Sequence, residues 1–430
     1  MNLNVKRRIE EINSGIVPEG YKRTKVGIVP VEWEETKIGN CGDIITGNTP
    51  PTSDSDNYGF DHVWVTPSDI NSNILINSSM KMLSKKGVEK SRFLKKGTVL
   101  VTCIASIGKN AILDCDGSCN QQINAIYLNS KFDNVFFYYL ICHNEHILKK
   151  YAGKSATQII SKERFSNLIL CFPPLPEQQK IAEILFTQDK LIELQEKKIE
   201  QLKKLKKAYL QKMFPKKGNH YPELRFQGFT DTWEQRKLGE VSSFITKGAT
   251  PTTYGYEWQN EGIPFFRNDC IKDNSFVYGD FSYISDEANR ALNRSEIKGD
   301  DILIAITGDI GKVGIVPSII HKANINQHIA RVRVVKDALP YFIYQSLITE
   351  SQQNKYKQIK TGISMPQLSL EQIRETIVLV PSMDEQSRIS GLFEIIDQHI
   401  SLQQQKLAQE NQKKKSLMQL LLTGKVRVIP

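Results

Sequence analysis

No stretch of this 430-residue sequence approaches the ~20 consecutive apolar residues that a membrane-spanning helix requires. The opening MNLNVKRRIEEINSG is charged and carries no apolar signal core, so the reading is a cytoplasmic protein with no membrane partner. Cysteine is sparse and poorly arranged for metal. There are seven residues, six in the first half, and only Cys115 and Cys119 stand close together, with no second pair to complete a zinc set. These read as reduced, packed thiols.

Signatures of catalysis are equally scarce. GKSATQ at Gly153 imitates a phosphate loop, but the first glycine of that signature should fall at 148, where Leu148 stands. CHNEH, Cys142 to His146, offers a thiol, two imidazoles and a carboxylate. On a helix His143 and His146 could share a face, yet the corresponding region of the second half reads SLITES and no distant Cys or His completes a site. CFPPL from Cys171 looks superficially like the Asp/Asn-Pro-Pro-aromatic loop of amino-methyltransferases. Phe172, however, occupies the place of the acceptor, and Leu175 that of the stacking ring. No Gly-rich loop follows a strand, and no acid cluster stands beside a lysine as in a nuclease. The expectation is no catalytic residue, no metal ligand and no cofactor held by this chain.

Charge is what the sequence does have. Lys and Arg outnumber Asp and Glu 57 to 47, a net +10, which suits a polyanionic partner such as nucleic acid. The chain also has a partner within itself. PPLPEQQKIAEILF from Pro173 returns as PSMDEQSRISGLFE from Pro381, and WEETKIGNCGDIITGNTPPT from Trp33 as WEQRKLGEVSSFITKGATPT from Trp233. VTPSDI, ending at Ile70, aligns loosely with FRNDCI, placing Asp69 over Asp269. Gly108-Lys109 falls over Gly311-Lys312, NQQI at Asn120 over NQHI at Asn326, and GKSATQ over GISMPQ at Gly362. Six blocks recurring in one order make two large copies rather than a solenoid.

Each copy opens with short β-like runs (GTVLVTCIA; DDILIAIT, IARVRVV), followed by an aromatic helix candidate, FFYYLICHNEHILKKYA or PYFIYQSLITESQQNKYKQI. Each closes with a long helix. In the first, Ile181, Leu185, Ile192, Ile199, Leu202, Tyr209 and Met213 occupy a and d heptad positions, interrupted by Gln188, Gln195 and Lys206. In the second, Ile389, Phe393, Ile396, Ile400, Leu407, Leu417 and Leu421 do so, interrupted by Gln403, Glu410 and Lys414. Prolines before the first turn and acids at Glu177 and Asp384-Glu385 suit helix starts. With a globular domain between them the two helices are expected to pair antiparallel, Gln195 and Gln403 setting register. The pairing residues are expected to be Ile181, Leu185, Ile192, Gln195, Ile199, Leu202, Ile389, Phe393, Ile396, Ile400, Gln403 and Leu407.

PPLPEQQKIAEIL with its Lys/Glu helix to KKLKKAYLQKMF, then YPELRFQGFTDTWEQRKLGE and the closing LLTGKVRV, resemble the specificity subunit of type I restriction–modification systems. YKRTKVGIVPVEW and VTPSDI look like that family too. The resemblance implies an α+β fold: two pseudo-repeated globular α/β target recognition domains joined by two long antiparallel coiled-coil-like helices. Its segments would be a lead (1–32), recognition domain 1 (33–172), a central spacer helix (173–214), recognition domain 2 (215–380), and a C-terminal spacer helix and tail (381–430). It further implies double-stranded DNA as ligand, each domain binding one half of a split site. Two modification (methyltransferase) subunits would dock on the helices, and two restriction (motor-nuclease) subunits would join them. S-adenosylmethionine, ATP and magnesium would act on those partners.

On that basis the loops matched between copies are the candidates for DNA contact. In the first domain these are Thr66, Ser68, Asp69, Lys109, Asn120, Gln121, Lys154, Ser155 and Gln158. In the second they are Arg267, Asn268, Asp269, Lys312, Asn326, Gln327, Ser364 and Gln367. Lys109 and Lys312, each after a glycine at a matched turn, are the phosphate candidates. Asp69, Asn120 and Gln121 have a second reading as turn caps. Phe136, Phe137, Tyr138 and Tyr139 read as core. Lys203 to Lys207 and Lys413 to Lys415 read equally as solvated helix ends or as contacts to backbone or partner. Two rival functions remain: a single-chain restriction-methylation enzyme with a cryptic site, and a two-headed scaffold that binds no DNA.

Overall fold

The computed structural model describes residues 3–71, 73–152, 158–216, 218–362 and 366–428. The chain divides into two compact units, Met1–Glu196 with Gln405–Pro430, and Lys197–Gln404. Each long helix is therefore shared by chain continuity, its boundary falling at Glu196 in one and at Gln404 in the other.

In the first unit a five-stranded sheet runs in the order Gly42–Thr46, Ile123–Leu128, Val99–Thr102, Asn110–Leu113 and Leu75–Ile76. A second sheet orders Gly117–Cys119, His62–Val65, Met82–Leu83 and Tyr58–Gly59. The second unit repeats the plan, with Ser242–Lys247, Ile329–Val334, Ile302–Ala305 and Val313–Ile315 in one sheet. Ser282–Ile284, Ile263–Phe266, Ala323–Ile325 and Glu296–Ile297 form the other. Why VLV (Val99 to Val101) and ILIA (Ile302 to Ala305) are apolar at every position is now plain. Val99 and Val101 face one core while Leu100 faces another, and Ile302 and Ile304 divide from Leu303 and Ala305 in the same way. A strand covered on both faces needs no polar alternation.

The aromatic segment packs as core: Phe136, Phe137 and Tyr139 are fully buried and Tyr138 nearly so. It is two helices in each unit rather than one. Asn134–His143 gives way to Glu145–Tyr151 in the first, and Pro340–Leu347 to Glu350–Ile359 in the second. At the first break Asn144 Nδ2 donates to Leu140 O (2.8 Å), and this side chain caps the carbonyl end. The break falls between His143 and His146, which removes the shared helix face that the spacing allowed. Among the described residues no three His, Cys, Asp or Glu side chains are grouped to hold a metal, and all seven cysteines are free.

Each long helix has 39 residues, Leu175–Met213 and Met383–Leu421, about 58 Å at 1.5 Å per residue. Neither is apolar enough to cross a membrane. They run antiparallel in both units. In the first, Ile181 and Leu185 share a core with Leu417, Met418, Leu421 and Leu422, while Gln188, further along, donates to Glu410 Oε2 at 2.7 Å. In the second, Lys206 meets Asp397 and, beyond it, Phe214 meets Phe393 (6.1 Å between ring centres).

A matched turn shows what the duplication has conserved and what it has strained. Ala105 and Gly308 both adopt left-handed backbone, φ 61° and 69°. A side chain there costs about 1–2 kcal/mol, which glycine avoids. Ala105→Gly should therefore raise unfolding stability by about 0.5 kcal/mol after the added unfolded-state entropy. Gly308→Ala should lower it by about 1 kcal/mol, its Cβ also meeting Asn268 Nδ2 at 3.2 Å. Urea midpoints of the two variants check the opposite signs.

Candidate nucleic-acid interface

In the first unit Gly47 N donates to Ile123 O and Asn48 N to Cys119 O (3.1 and 2.9 Å), so the 47–49 loop lies against the 120–122 turn. A Cβ at Gly47 would come within 2.2 Å of Cys119 O, and one at Gly248 within 2.1 Å of Ile325 O, so only glycine permits either approach. Asn120 N then reaches Val65 O (3.0 Å), Cys103 N reaches Gln122 O (2.8 Å), and Ala105 N reaches Gln158 O (3.3 Å). Thr66–Asp69, Ala105–Lys109, Asn120–Gln121 and Gln158 thus converge on one edge of the sheets. The second unit brings together the corresponding set. Asn326 N donates to Phe266 O (3.1 Å), Ile306 N to His328 O (2.9 Å) and Asn268 Nδ2 to Thr307 O (3.0 Å), and Thr307 bridges to Gln367.

The hydrogen bonds correct the alignment of the two edges. Asp69 N donates to Thr66 O, and Cys270 N to Arg267 O. Thr66 is therefore the counterpart of Arg267, Ser68 of Asp269, and Asp69 of Cys270. Set end to end, VTPSDI and FRNDCI already give this register, and the turn bonds decide it against the Asp69–Asp269 match.

The side chains divide by what they are already bonded to. Asp69 accepts from Thr66 N (2.8 Å), Thr66 Oγ1 (2.7 Å) and Met80 N (2.7 Å), and Ser68 Oγ lies 2.8 Å from Thr66 Oγ1. Asn120 is buried and accepts from Gln122 N; Asn326 is buried and accepts from His328 N. Gln121 Oε1 accepts from Thr49 Oγ1, and Gln327 Oε1 from Thr250 Oγ1. Lys109, Gln121, Gln158, Arg267, Asp269, Gln327 and Gln367 are exposed, while Asn268 and Lys312 are half-buried. Lys154, Ser155 and Ser364 lie outside the described residues. Lys312, 3.0 Å from Asp309, lines a cleft of about 680 Å³ with Lys207, Lys357 and Lys360 and with Glu350, which lies 3.7 Å from Lys207, so cations outnumber anions in this hollow beside the Gly308–Lys312 turn.

Of the residues expected to pair the helices, Ile181, Leu185, Ile192, Ile199, Ile389, Phe393, Ile396, Ile400 and Gln403 are buried. Leu202, Leu407 and Gln195 are half-buried. Four of the six polar interruptions turn out to be partners of one another or of acids on the facing helix, Gln188 with Glu410 and the two lysines with aspartates. Lys414 Nζ lies 2.5 Å from Asp189 and Lys206 Nζ 2.8 Å from Asp397. Each aspartate also accepts from a tyrosine on its own unit's aromatic helix, Tyr139 at 2.7 Å and Tyr341 at 2.6 Å. Burial first, and then the adjacent carboxylate, push both phenols up, so they stay protonated donors. Helical spacing could not reveal these triads, because Asp189 and Asp397 lie outside the heptad seam; their shared position in the two copies is the one available signal.

The acid-Gln phrase at each helix start has a related use. Glu177, 2% exposed, is held by Arg427 Nε and Nη2 (2.8 and 2.9 Å) and by Trp33 Nε1 (3.3 Å). Glu385, 1% exposed, is held by Arg225 Nε and Nη2 (both 2.7 Å). These are buried ion pairs, a stronger constraint than the dipole placement expected of them. Gln178 Oε1 accepts from Asp133 N and Gln386 Oε1 from Leu339 N, the N-caps of the two aromatic helices (2.9 and 2.8 Å).

The family of type I restriction modification DNA specificity domains matches residues 30–204 and again 230–411. The MjaIX type I restriction enzyme specificity subunit of Methanocaldococcus jannaschii is 25% identical, over 95% of this chain and 96% of its own length. The MjaVIII specificity subunit of the same organism is 26% identical, over 75% and 76%. Among solved structures, the S subunit of a type I restriction–modification system from M. genitalium superposes with a TM-score of 0.60. It is 18% identical and covers 90% of this chain and 96% of that one.

Lys206→Met removes a cation from a part-buried aspartate and should lower stability of the second unit by about 1–3 kcal/mol. Adding Asp397→Asn should recover part of that loss. The cycle is read by denaturant unfolding, and additive single effects would mean that the two groups do not interact.

Proposed function

The chain belongs to the type I restriction modification DNA specificity family, and from that premise we propose that it reads a split, asymmetric DNA target with the two polar edges described above. It is a specificity subunit with two recognition domains, a non-catalytic component whose partners are DNA and the other subunits of a restriction–modification complex. The observation that carries the reading is the duplication itself. The same convergent loops stand at the same place in both units, with Gln158 matched by Gln367, yet they present Thr66 and Ser68 in one and Arg267 and Asp269 in the other. Equivalent position with different chemistry is what two unlike half-sites demand, whereas identical readers would favour a palindrome.

In this proposal exposed side chains of each edge meet base edges, and Lys109, Lys312 and the cationic hollow take phosphates. Asp69 and Asn120, occupied by their own loops, shape the edge rather than touch DNA. The paired helices dock two methyltransferase subunits, which bring S-adenosylmethionine, and two motor-nuclease subunits, which bring ATP and magnesium. The location is cytoplasmic.

Exchange of residues 33–172 for another family domain, followed by methylome mapping in a host that supplies the partner subunits, should change one half of the methylated motif and leave the other intact. Change in both halves contradicts modular reading. Phosphate contact predicts that affinity falls about 10³- to 10⁵-fold between ~50 and ~200 mM salt if six to ten phosphates are neutralised. No binding at low salt would leave the two-headed scaffold.

A further inference from the structure

Arg267 differs from most arginines of its unit in what surrounds it. Arg225, Arg236 and Arg333 each hold a carboxylate within 2.7 Å. Among the described residues Arg267 has no carboxylate partner, and it is exposed. It is nonetheless pinned. Its guanidinium carbon lies 5.0 Å from the ring centre of Trp258, and Nη2 donates to Ser282 Oγ at 3.0 Å. Trp258 is itself anchored edge-on against fully buried Phe265 (5.1 Å) while 37% of it remains exposed. The ring supports one face of a planar cation whose edge carries the N–H donors, so stacking and edge-on hydrogen bonding do not compete.

A fork backed by an aromatic ring, directed by a hydroxyl and without a carboxylate partner among the described residues, matches the paired acceptors O6 and N7 of guanine in the major groove. A phosphate contact would need only charge, which the lysines of the neighbouring hollow already supply. At the equivalent position of the first unit stands Thr66, whose hydroxyl donates to Asp69, so that edge has no such fork. We propose that Arg267, backed by Trp258 and Ser282, selects a guanine in the half-site read by the second unit. This rests on the DNA-reading function proposed above and adds a base to it.

The test uses the full chain with its methyltransferase subunits and a library of randomised duplexes. The wild type should enrich a two-part motif with a guanine in one half. Arg267→Ala should lose that guanine, and Arg267→Lys should select it less strongly, while the other half is unchanged. Lysine keeps the charge but not the fork. On a fixed duplex, 7-deazaguanine at that base should weaken the wild type by about 5- to 150-fold and Arg267→Ala no further. Trp258→Leu should reduce discrimination while low-salt binding persists. Unshifted thermal melting of the Arg267 variants excludes unfolding as the cause. Uniform weakening across all sequences, or Arg267→Ala selecting as the wild type does, overturns the guanine assignment while leaving the two-part reading in place. Failure of the wild type to enrich any motif overturns both.

Discussion

Two aspartates, Asp189 and Asp397, carry the constraint on which the rest of each unit depends. Each sits on a long helix and takes a hydrogen bond from a tyrosine of the aromatic helix and an ion pair from a lysine of the facing helix. Aromatic helix and helix pair are thereby tied at one part-buried polar point in each unit. Charged groups placed there are costly unless all are present, so the joint tolerates one geometry and penalises others.

The helix starts add a second tie of the same kind. Glu177 with Arg427 and Glu385 with Arg225 close salt bridges at almost fully buried carboxylates. Gln178 and Gln386 meanwhile cap the aromatic helices from outside their own segment. The acid-Gln phrase recurs because each copy needs one residue to receive an arginine and the next to hold the head. Rigid positioning of a polar edge is the property a sequence reader requires, since a base contact displaced by an ångström is lost.

The edges themselves obey the opposite rule. Their frame is shared, with Gly47 and Gly248 pressed against the neighbouring carbonyls and Asn120 and Asn326 satisfied within the turn. What projects from the frame is free to differ. Thr66 bonds inward to Asp69, while Arg267 lies on Trp258 and faces out. One scaffold thus offers two chemistries.

The duplication, the β runs, the aromatic core and the two long helices were legible from the amino-acid order, because periodicity, block order and hydrophobic density are local properties. The roles of Lys206 and Lys414 were not legible: they read as interruptions of the heptad seam within basic clusters that fit solvated ends and partner contacts equally, until Asp397 and Asp189 are placed opposite them. The register of Thr66 with Arg267 stood in the ungapped blocks, but the Asp69–Asp269 identity pulled against it until the turn bonds to Thr66 O and Arg267 O decided. Glu177 and its arginine are 250 residues apart, and Glu385 and its own are 160 apart. A polar group's meaning is set by the atoms that meet it, and only tertiary folding decides which of these groups are spent inside and which remain to face a ligand.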